Sequence, residues 1–110
     1  MGRMRSLSRK YLESIGVCDV SLVDGKWIVT RRYKTKSGGV ITSTVSPRPN
    51  NGSLAVILSI DGRSTYTSFP RMLYAWRHGS ISYDEEAVLS QNGEVVKLSR
   101  SEAHALRRRR

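Results

Sequence analysis

The hydrophobic positions of this chain follow two spacings, one typical of α-helices and one typical of β-strands. Residues 6–16 have the helical spacing, because four apolar side chains fall on one face of a helix: Leu7, Tyr11, Leu12 and Ile15. Gly16 can then end this helix in a left-handed conformation. A longer helix is predicted over Phe69–His78, which follows the N-cap residue Ser68 and precedes Gly79.

Runs rich in β-branched residues predict the strands, and glycine-containing turns divide them. The predicted strands are residues 19–23, 26–33, 40–46, 53–60, 63–68, 87–90 and 94–98. Three hairpin turns are predicted between them, at Asp24-Gly25, Asp61-Gly62 and Asn92-Gly93, the first of type I′. After the last strand, Ser99 and Glu102 have the spacing of a capping box, which predicts a final helix as far as Leu106.

These elements predict one α+β domain over residues 1–110. We expect a small antiparallel sheet of hairpins, an N-terminal helix, a central helix after the second Asp-Gly hairpin, and a C-terminal ββα-like unit. Residues 47–52 are rich in proline, asparagine and glycine and are expected to form a loop. A chain of 110 residues has room for one modest hydrophobic core, and no apolar run approaches the roughly 18 residues of a transmembrane helix.

Two further features of the sequence predict a cytoplasmic location. The opening residues, MGRMRSLSRK, lack the apolar stretch of a secretory signal. Cys18 is the single cysteine, so no intrachain disulfide can form, and a reducing compartment is expected.

The charge of the chain indicates a class of partner. There are 19 Lys and Arg residues against nine Asp and Glu, which gives a formal net charge of +10. The ends, residues 1–10 and 100–110, hold nine basic groups and one acidic group, so they carry +8 and the interior +2. Residues 1–5 and 107–110 are expected to be flexible basic ends. Because Lys and Arg contacts to phosphates release condensed counterions, such an excess indicates a polyanion, and nucleic acid is the leading candidate.

A solubilising tail or a packing arm is the alternative interpretation of this charge. A membrane partner is not expected, since the run Arg107 to Arg110 has no apolar face with which to enter a bilayer.

Basic residues around Tyr33 form the main candidate binding region. They lie on and after one predicted strand, and a β-ribbon of this kind can enter the major groove of DNA. Because side chains alternate along a strand, Arg31 and Arg32 are expected to face opposite sides of the sheet. Arg48 and Arg63 are expected at neighbouring sheet edges. The predicted nucleic-acid-binding residues are Arg31, Arg32, Lys34, Lys36, Arg48, Arg63, Arg71, Arg77, Arg107, Arg108, Arg109 and Arg110.

The sequence predicts no catalytic residue, metal site or cofactor. Its one cysteine and two histidines show no ligand spacing such as C-x-x-C or H-E-x-x-H. His78 lies at the end of a predicted helix, where a cation complements the helix dipole. The consecutive acids of residues 84–86 are typical of a solvated turn, and His104 is the one weak candidate metal ligand.

Two segments carry a resemblance to a known family. Residues 51–63 form an Asp-Gly hairpin, and six residues of the following segment match a helix pattern: Arg71, Leu73, Tyr74, Trp76, Gly79 and Ile81. In these features the chain resembles phage-encoded HNH homing-type endonucleases, in which such a hairpin and helix precede the nuclease module. Residues 11–17 with Asp24-Gly25, and residues 98–102, are similar to further segments of that family.

The resemblance fails where the family has its catalytic residues. There an Asp-His pair and an Asn-rich loop supply a general base and metal ligands. Val88 and Leu89 stand at the Asp-His positions of this chain, and leucine can neither accept a proton nor bind a metal. The loop is reduced to Gln91-Asn92-Gly93, and His104 remains as the counterpart of the last ligand. The resemblance therefore implies an HNH-like scaffold without the nuclease.

The sequence thus predicts a non-catalytic, nucleic-acid-binding protein of phage or mobile-element type, cytoplasmic in a bacterial host, with DNA favoured over RNA. One alternative is an active endonuclease that uses a divalent metal, His104 and the carboxylates of residues 84–86. Others are a phage factor that binds a host protein, or an RNA- or ribosome-associated protein.

Overall fold

The computed structural model describes residues 5–50, 52–60, 62–99, 101–102 and 105. It confirms a mixed α+β fold that is mostly strands, with small antiparallel sheets and two helices whose bounds lie within these residues. The elements are β1 Leu7–Ser8, α1 Arg9–Ser14, β2 Val17–Val23, β3 Lys26–Lys34, β4 Val40–Val45, β5 Arg48–Asn50, β6 Ser53–Ile60, β7 Arg63–Ser68, α2 Phe69–His78, β8 Ser80–Ile81, β9 Glu85–Leu89 and β10 Val95–Ser99.

Among the described residues, the strands form four separate antiparallel sheets rather than the single sheet that was predicted. Two have three strands, in the orders β2-β3-β4 and β5-β6-β7, and two are the pairs β1-β8 and β9-β10. Ser46 and Pro47 separate β4 from β5, and proline lacks the N–H that would continue a ladder. The loop predicted at residues 47–52 contains β5, a three-residue edge strand that tolerates Pro49.

The first hairpin has the predicted turn. Asp24 and Gly25 have φ values of 51° and 76°, and positive φ at both central residues defines a type I′ turn. This turn matches the twist of β2 and β3, which pair from Val23↔Lys26 back to Val17↔Arg31.

The first helix is shorter than its hydrophobic spacing suggested. Leu7 and Ser8 are taken into a strand pair with Ile81 and Ser80, and Ser8 then caps α1 by accepting a hydrogen bond from the Tyr11 N–H at 3.0 Å. The helix ends at Ser14 with Ile15 as its C-cap, and the next residue, Gly16, has a φ of 103°, which favours glycine. The Gly16 carbonyl accepts a hydrogen bond from the Arg32 N–H at 2.7 Å, so this end of the helix is fixed to β3.

Helix α2 is the centre of the hydrophobic core. Phe69, Met72 and Leu73 are fully buried against apolar residues of the sheets, and the Phe69 ring lies 5.3 Å from that of Trp27. The β9-β10 hairpin packs on another side of α2 and contributes Val95 to the core. In the described part of the chain, neither helix is long and apolar enough to cross a membrane.

The capping box after β10 is present. The Ser99 N–H donates to the Glu102 carboxylate at 3.1 Å, and the Glu102 N–H donates to the Ser99 hydroxyl at 3.2 Å. Residues 101, 102 and 105 are helical. The other positions of the predicted final helix, including Leu106, lie outside the described residues.

Candidate nucleic-acid interface

The β3-β4 hairpin extends beyond the sheet as a two-stranded ribbon. Strand β2 pairs with β3 only as far as Arg31, whereas β4 continues beside β3 to the pair Lys34↔Val40. The turn is closed by a hydrogen bond from the Thr35 N–H to the Gly39 carbonyl at 2.8 Å. We call residues 32–42 the basic ribbon.

The two faces of the basic ribbon differ in chemistry. Arg32 pairs with Thr42 and Lys34 with Val40, so these four side chains share one face. The opposite face carries the pair Tyr33↔Ile41. All of these residues are exposed, as is Lys36 in the turn. Arg32, Lys34 and Lys36 are therefore the predicted binding residues that the structure brings together on one accessible projection.

Acidic and basic residues are unevenly distributed along the interior of the chain. Residues 26–60 contain six Lys and Arg residues and no Asp or Glu, and as far as residue 83 Asp61 is the only acid. The other acids lie in residues 13–24 and 84–102. Ion pairs are found at Arg9–Glu13 and Lys97–Glu85, away from the ribbon. No carboxylate among the described residues forms an ion pair with a ribbon cation, so these charges are available to an external anion.

Arg31 faces away from Arg32, as predicted, and joins the two three-stranded sheets. Its guanidinium donates to the Ile57 carbonyl and to the Ser43 hydroxyl, each at 3.3 Å. Ile57 lies beyond Ala55, where the pairing of β5 with β6 ends. The Arg31 Nε is buried without a hydrogen-bond partner among the described residues. Most of the Arg31 guanidinium is therefore engaged in contacts within the protein.

Arg71 does not belong to an accessible surface. Its side chain is 4% exposed, and its guanidinium donates to the backbone carbonyls of Glu85 at 3.0 Å, Arg5 at 2.8 Å and Ser82 at 2.7 Å. Arg71 is therefore not accessible for the nucleic-acid contact that was predicted for it. Burial of a charged head group requires such partners, and here they come from segments far apart in sequence.

Arg77 is exposed, but its guanidinium also contacts other parts of the protein. It donates to the Gly93 carbonyl at 2.6 Å and lies 5.4 Å from the centre of the Trp27 ring. It therefore holds the Asn92-Gly93 turn against β3.

Arg48 and Arg63 are exposed and far apart. They lie on β5 and β7, the two opposite edges of one sheet, and not on neighbouring edges as predicted. They pair with Ala55 and Ile60, which are separated by roughly 17 Å along β6 at 3.4 Å per residue. They can bind an anion independently of each other but do not form a cluster.

The other predicted sites add no catalytic group. Arg107, Arg108, Arg109, Arg110 and His104 lie outside the described residues. In the described ranges, no group of three or more His, Cys, Asp or Glu side chains could hold a metal ion.

In the acidic segment of residues 84–86, the carboxylate of Glu85 already has partners within the protein. The Glu85 carboxylate accepts a hydrogen bond from the Ser82 N–H and pairs with Lys97 at 3.0 Å. The Ser82 backbone bond and then Lys97 lower the pKa of Glu85.

Val88 and Leu89, at the positions of the expected Asp-His pair, are ordinary strand residues opposite Val96 and Val95.

Thr42 and Val40 are surface residues that sequence reasoning did not include. Their place beside Arg32 and Lys34 follows from the register of the hairpin, which depends on the length of the turn at residues 35–39. Comparison of the chain with protein-family models, curated proteins and solved structures gives no match. The resemblance to HNH-type endonucleases stays a prediction.

Proposed function

We propose that this protein binds nucleic acid, with duplex DNA preferred, through the basic ribbon and without catalysing a reaction. The observation that carries the proposal is a projecting hairpin with Arg32, Lys34 and Lys36 exposed, within 35 residues that contain no carboxylate. A cation without an internal partner gains most from a phosphate, because binding releases condensed counterions and loses no existing ion pair.

The shape of the ribbon favours DNA over RNA. Two antiparallel strands fit the major groove of B-DNA, which is about 12 Å wide, whereas the major groove of A-form RNA is deep and narrow. Arg32 and Lys34 are two residues apart on one face, about 7 Å along the strand. Arg32 can bind a phosphate or a guanine edge in bidentate fashion, and Lys34 supplies a compact charge.

Thr42, on the same face as these two cations, adds a hydroxyl donor for phosphate. Contacts of this kind fix the position of the protein on the duplex and predict little sequence preference.

Our proposal includes an HNH-like scaffold that lacks the nuclease. Support comes from the order of the elements, in which the β6-β7 hairpin, helix α2 and the β9-β10 hairpin follow each other as the resemblance implies. Val88 and Leu89 stand in place of the acid and the general base. A phage or mobile-element origin and a cytoplasmic location are part of the same proposal.

The test is fluorescence anisotropy with labelled probes of equal length: duplex DNA, single-stranded DNA and duplex RNA. We expect duplex DNA to bind most tightly. The variant carrying Arg32→Gln, Lys34→Gln and Lys36→Gln is expected to weaken binding at least tenfold. The matched control Lys26→Gln with Arg48→Gln and Arg63→Gln removes three exposed charges outside the ribbon and is expected to have a smaller effect. Equal affinity of wild type and the ribbon variant would contradict the proposal.

The absence of catalysis has its own assay. Supercoiled plasmid incubated with the protein and Mg²⁺ or Mn²⁺ is expected to stay intact. Nicking that is lost in His104→Ala would establish the endonuclease instead.

A further inference from the structure

Strand β4 is an edge strand whose backbone groups point outward at three positions. The Arg32 N–H bonds to Gly16, on the side of β3 away from β4, so Arg32↔Thr42 is a pair without mutual hydrogen bonds. Such pairs alternate with hydrogen-bonded ones in an antiparallel ladder. Val40, Thr42 and Thr44 therefore direct their N–H and C=O groups to the open edge of the sheet.

This edge lacks the features that protect other edges of the molecule. Strand β2 has a bulge between Val17 and Asp19, and an acidic residue there. Strand β5 contains Pro49 and a basic residue, and β7 begins with Arg63. Strand β4 has the sequence VITSTV, without charge, proline or bulge. An unprotected edge of this kind is a template for pairing with another strand.

Apolar side chains are also exposed next to this edge. Val40 is 58% exposed, Tyr33 48% and Ile41 43%. Residues with high strand propensity, left in water beside unpaired backbone groups, form a surface suited to strand addition.

We propose that β4 pairs antiparallel with β4 of a second copy of this chain and joins two three-stranded sheets into one sheet of six strands. A twofold axis through the middle of β4 makes the surface complementary to itself. The outward groups of Val40, Thr42 and Thr44 then bond to their counterparts, and Ile41 of each copy is covered by β4 of the other. The proposal does not rest on nucleic-acid binding. Because residues 40–42 belong both to β4 and to the basic ribbon, pairing through β4 competes with entry of the two-stranded ribbon into a groove.

The charge of the protein permits this pairing. The new cross-strand neighbours are uncharged valine, isoleucine, threonine and serine residues, so no like charges lie directly opposite. The two β3 strands, which carry the nearest cations, are separated by three strand spacings, about 14 Å. This exceeds the Debye length of about 8 Å at physiological ionic strength. Added salt is therefore expected to strengthen dimerisation, the opposite of its effect on DNA binding.

The test is sedimentation velocity on the full chain without nucleic acid, over a concentration series at low and high salt. A dimer is expected, with a lower dissociation constant at the higher salt. Thr42→Pro removes an outward donor and leaves the β3-β4 hydrogen bonds in place, so it is expected to give a folded monomer by circular dichroism. A wild-type chain that stays monomeric at both salt concentrations would overturn the proposal.

Charge variants keep the test valid if the proline variant does not fold. Thr42→Lys and Thr42→Glu are each expected to raise the dissociation constant at least tenfold, and their equimolar mixture to restore the dimer. The control Ser64→Lys, on an exposed strand of the other sheet, should dimerise like wild type. A mixture that stays monomeric, or a Thr42→Lys variant that dimerises like wild type, would refute pairing through β4.

Discussion

Replacement of Arg71 by methionine tests whether this arginine belongs to the fold or to the binding surface. Methionine keeps an unbranched apolar stem in the buried site and removes the guanidinium. Among the described residues, three backbone carbonyls then lose the guanidinium as a donor, those of Arg5, Ser82 and Glu85, and of these the Ser82 carbonyl keeps the Glu85 N–H. These carbonyls belong to the segment before β1, the loop after β8 and the start of β9, so one side chain connects three segments to α2.

The magnitude follows from the number and kind of these bonds. A hydrogen bond to a charged group contributes about 1.5–3 kcal/mol, and the cost rises where the remaining partner stays buried. Two of the three bonds share the Arg71 Nη2 atom, so the contributions are not simply additive. We expect a loss of about 3–5 kcal/mol in the free energy of unfolding, which lies between the contribution of one such bond and the sum of three.

The assay is urea unfolding followed by far-UV circular dichroism, with Arg63→Met as the control for an exposed arginine. The control is expected within about 0.5 kcal/mol of wild type. In thermal unfolding, Arg71→Met should lower Tm by more than about 10 °C. If Arg71→Met has wild-type stability but reduced affinity for DNA, the assignment of Arg71 to the fold is wrong.

Two further predictions concern a glycine and a carboxylate. Gly16→Ala should destabilise the fold by more than about 1–2 kcal/mol, because φ is positive and the new Cβ would lie 2.8 Å from the Arg32 carbonyl oxygen. Gly52→Ala, with positive φ but open space, should cost less in the same urea assay, and equal losses would contradict the role of the contact. A backbone N–H bond and Lys97 lower the pKa of Glu85, so its contribution to stability is present above the ordinary glutamate pKa of about 4.3 and is lost as the pH falls through the folded value. Glu85→Gln should therefore flatten the acid side of the stability profile, and an unchanged profile would argue against the Glu85–Lys97 pair.

Local features of the fold were predictable from the sequence. Helix α2 has the predicted bounds because an N-cap, a proline in the first turn and a final glycine surround its apolar face. The Asp24-Gly25 turn was predictable for a similar reason, because Asp-Gly favours the positive φ values that a type I′ turn requires. These signals depend on residues that are close together in the chain.

Arg71 shows what local spacing could not predict. It lies about 200° around the helix from Phe69, at 100° per residue, so helical periodicity places it opposite the core. The β9-β10 hairpin and the N-terminal segment cover that side of α2, and their approach is a long-range event. The division into four sheets, and hence the separation of Arg48 from Arg63, depends on long-range packing in the same way.

The salt dependence of DNA binding tests the central claim most directly. Binding of a labelled duplex is measured by anisotropy between about 50 and 200 mM salt for wild type and for Arg32→Gln with Lys34→Gln and Lys36→Gln. Each lost phosphate contact reduces the slope of log K against log salt by about 0.9, so the ribbon variant should lose up to about 2.7. A wild-type affinity that does not change with salt, or a ribbon variant with the wild-type slope, would contradict binding through the basic ribbon.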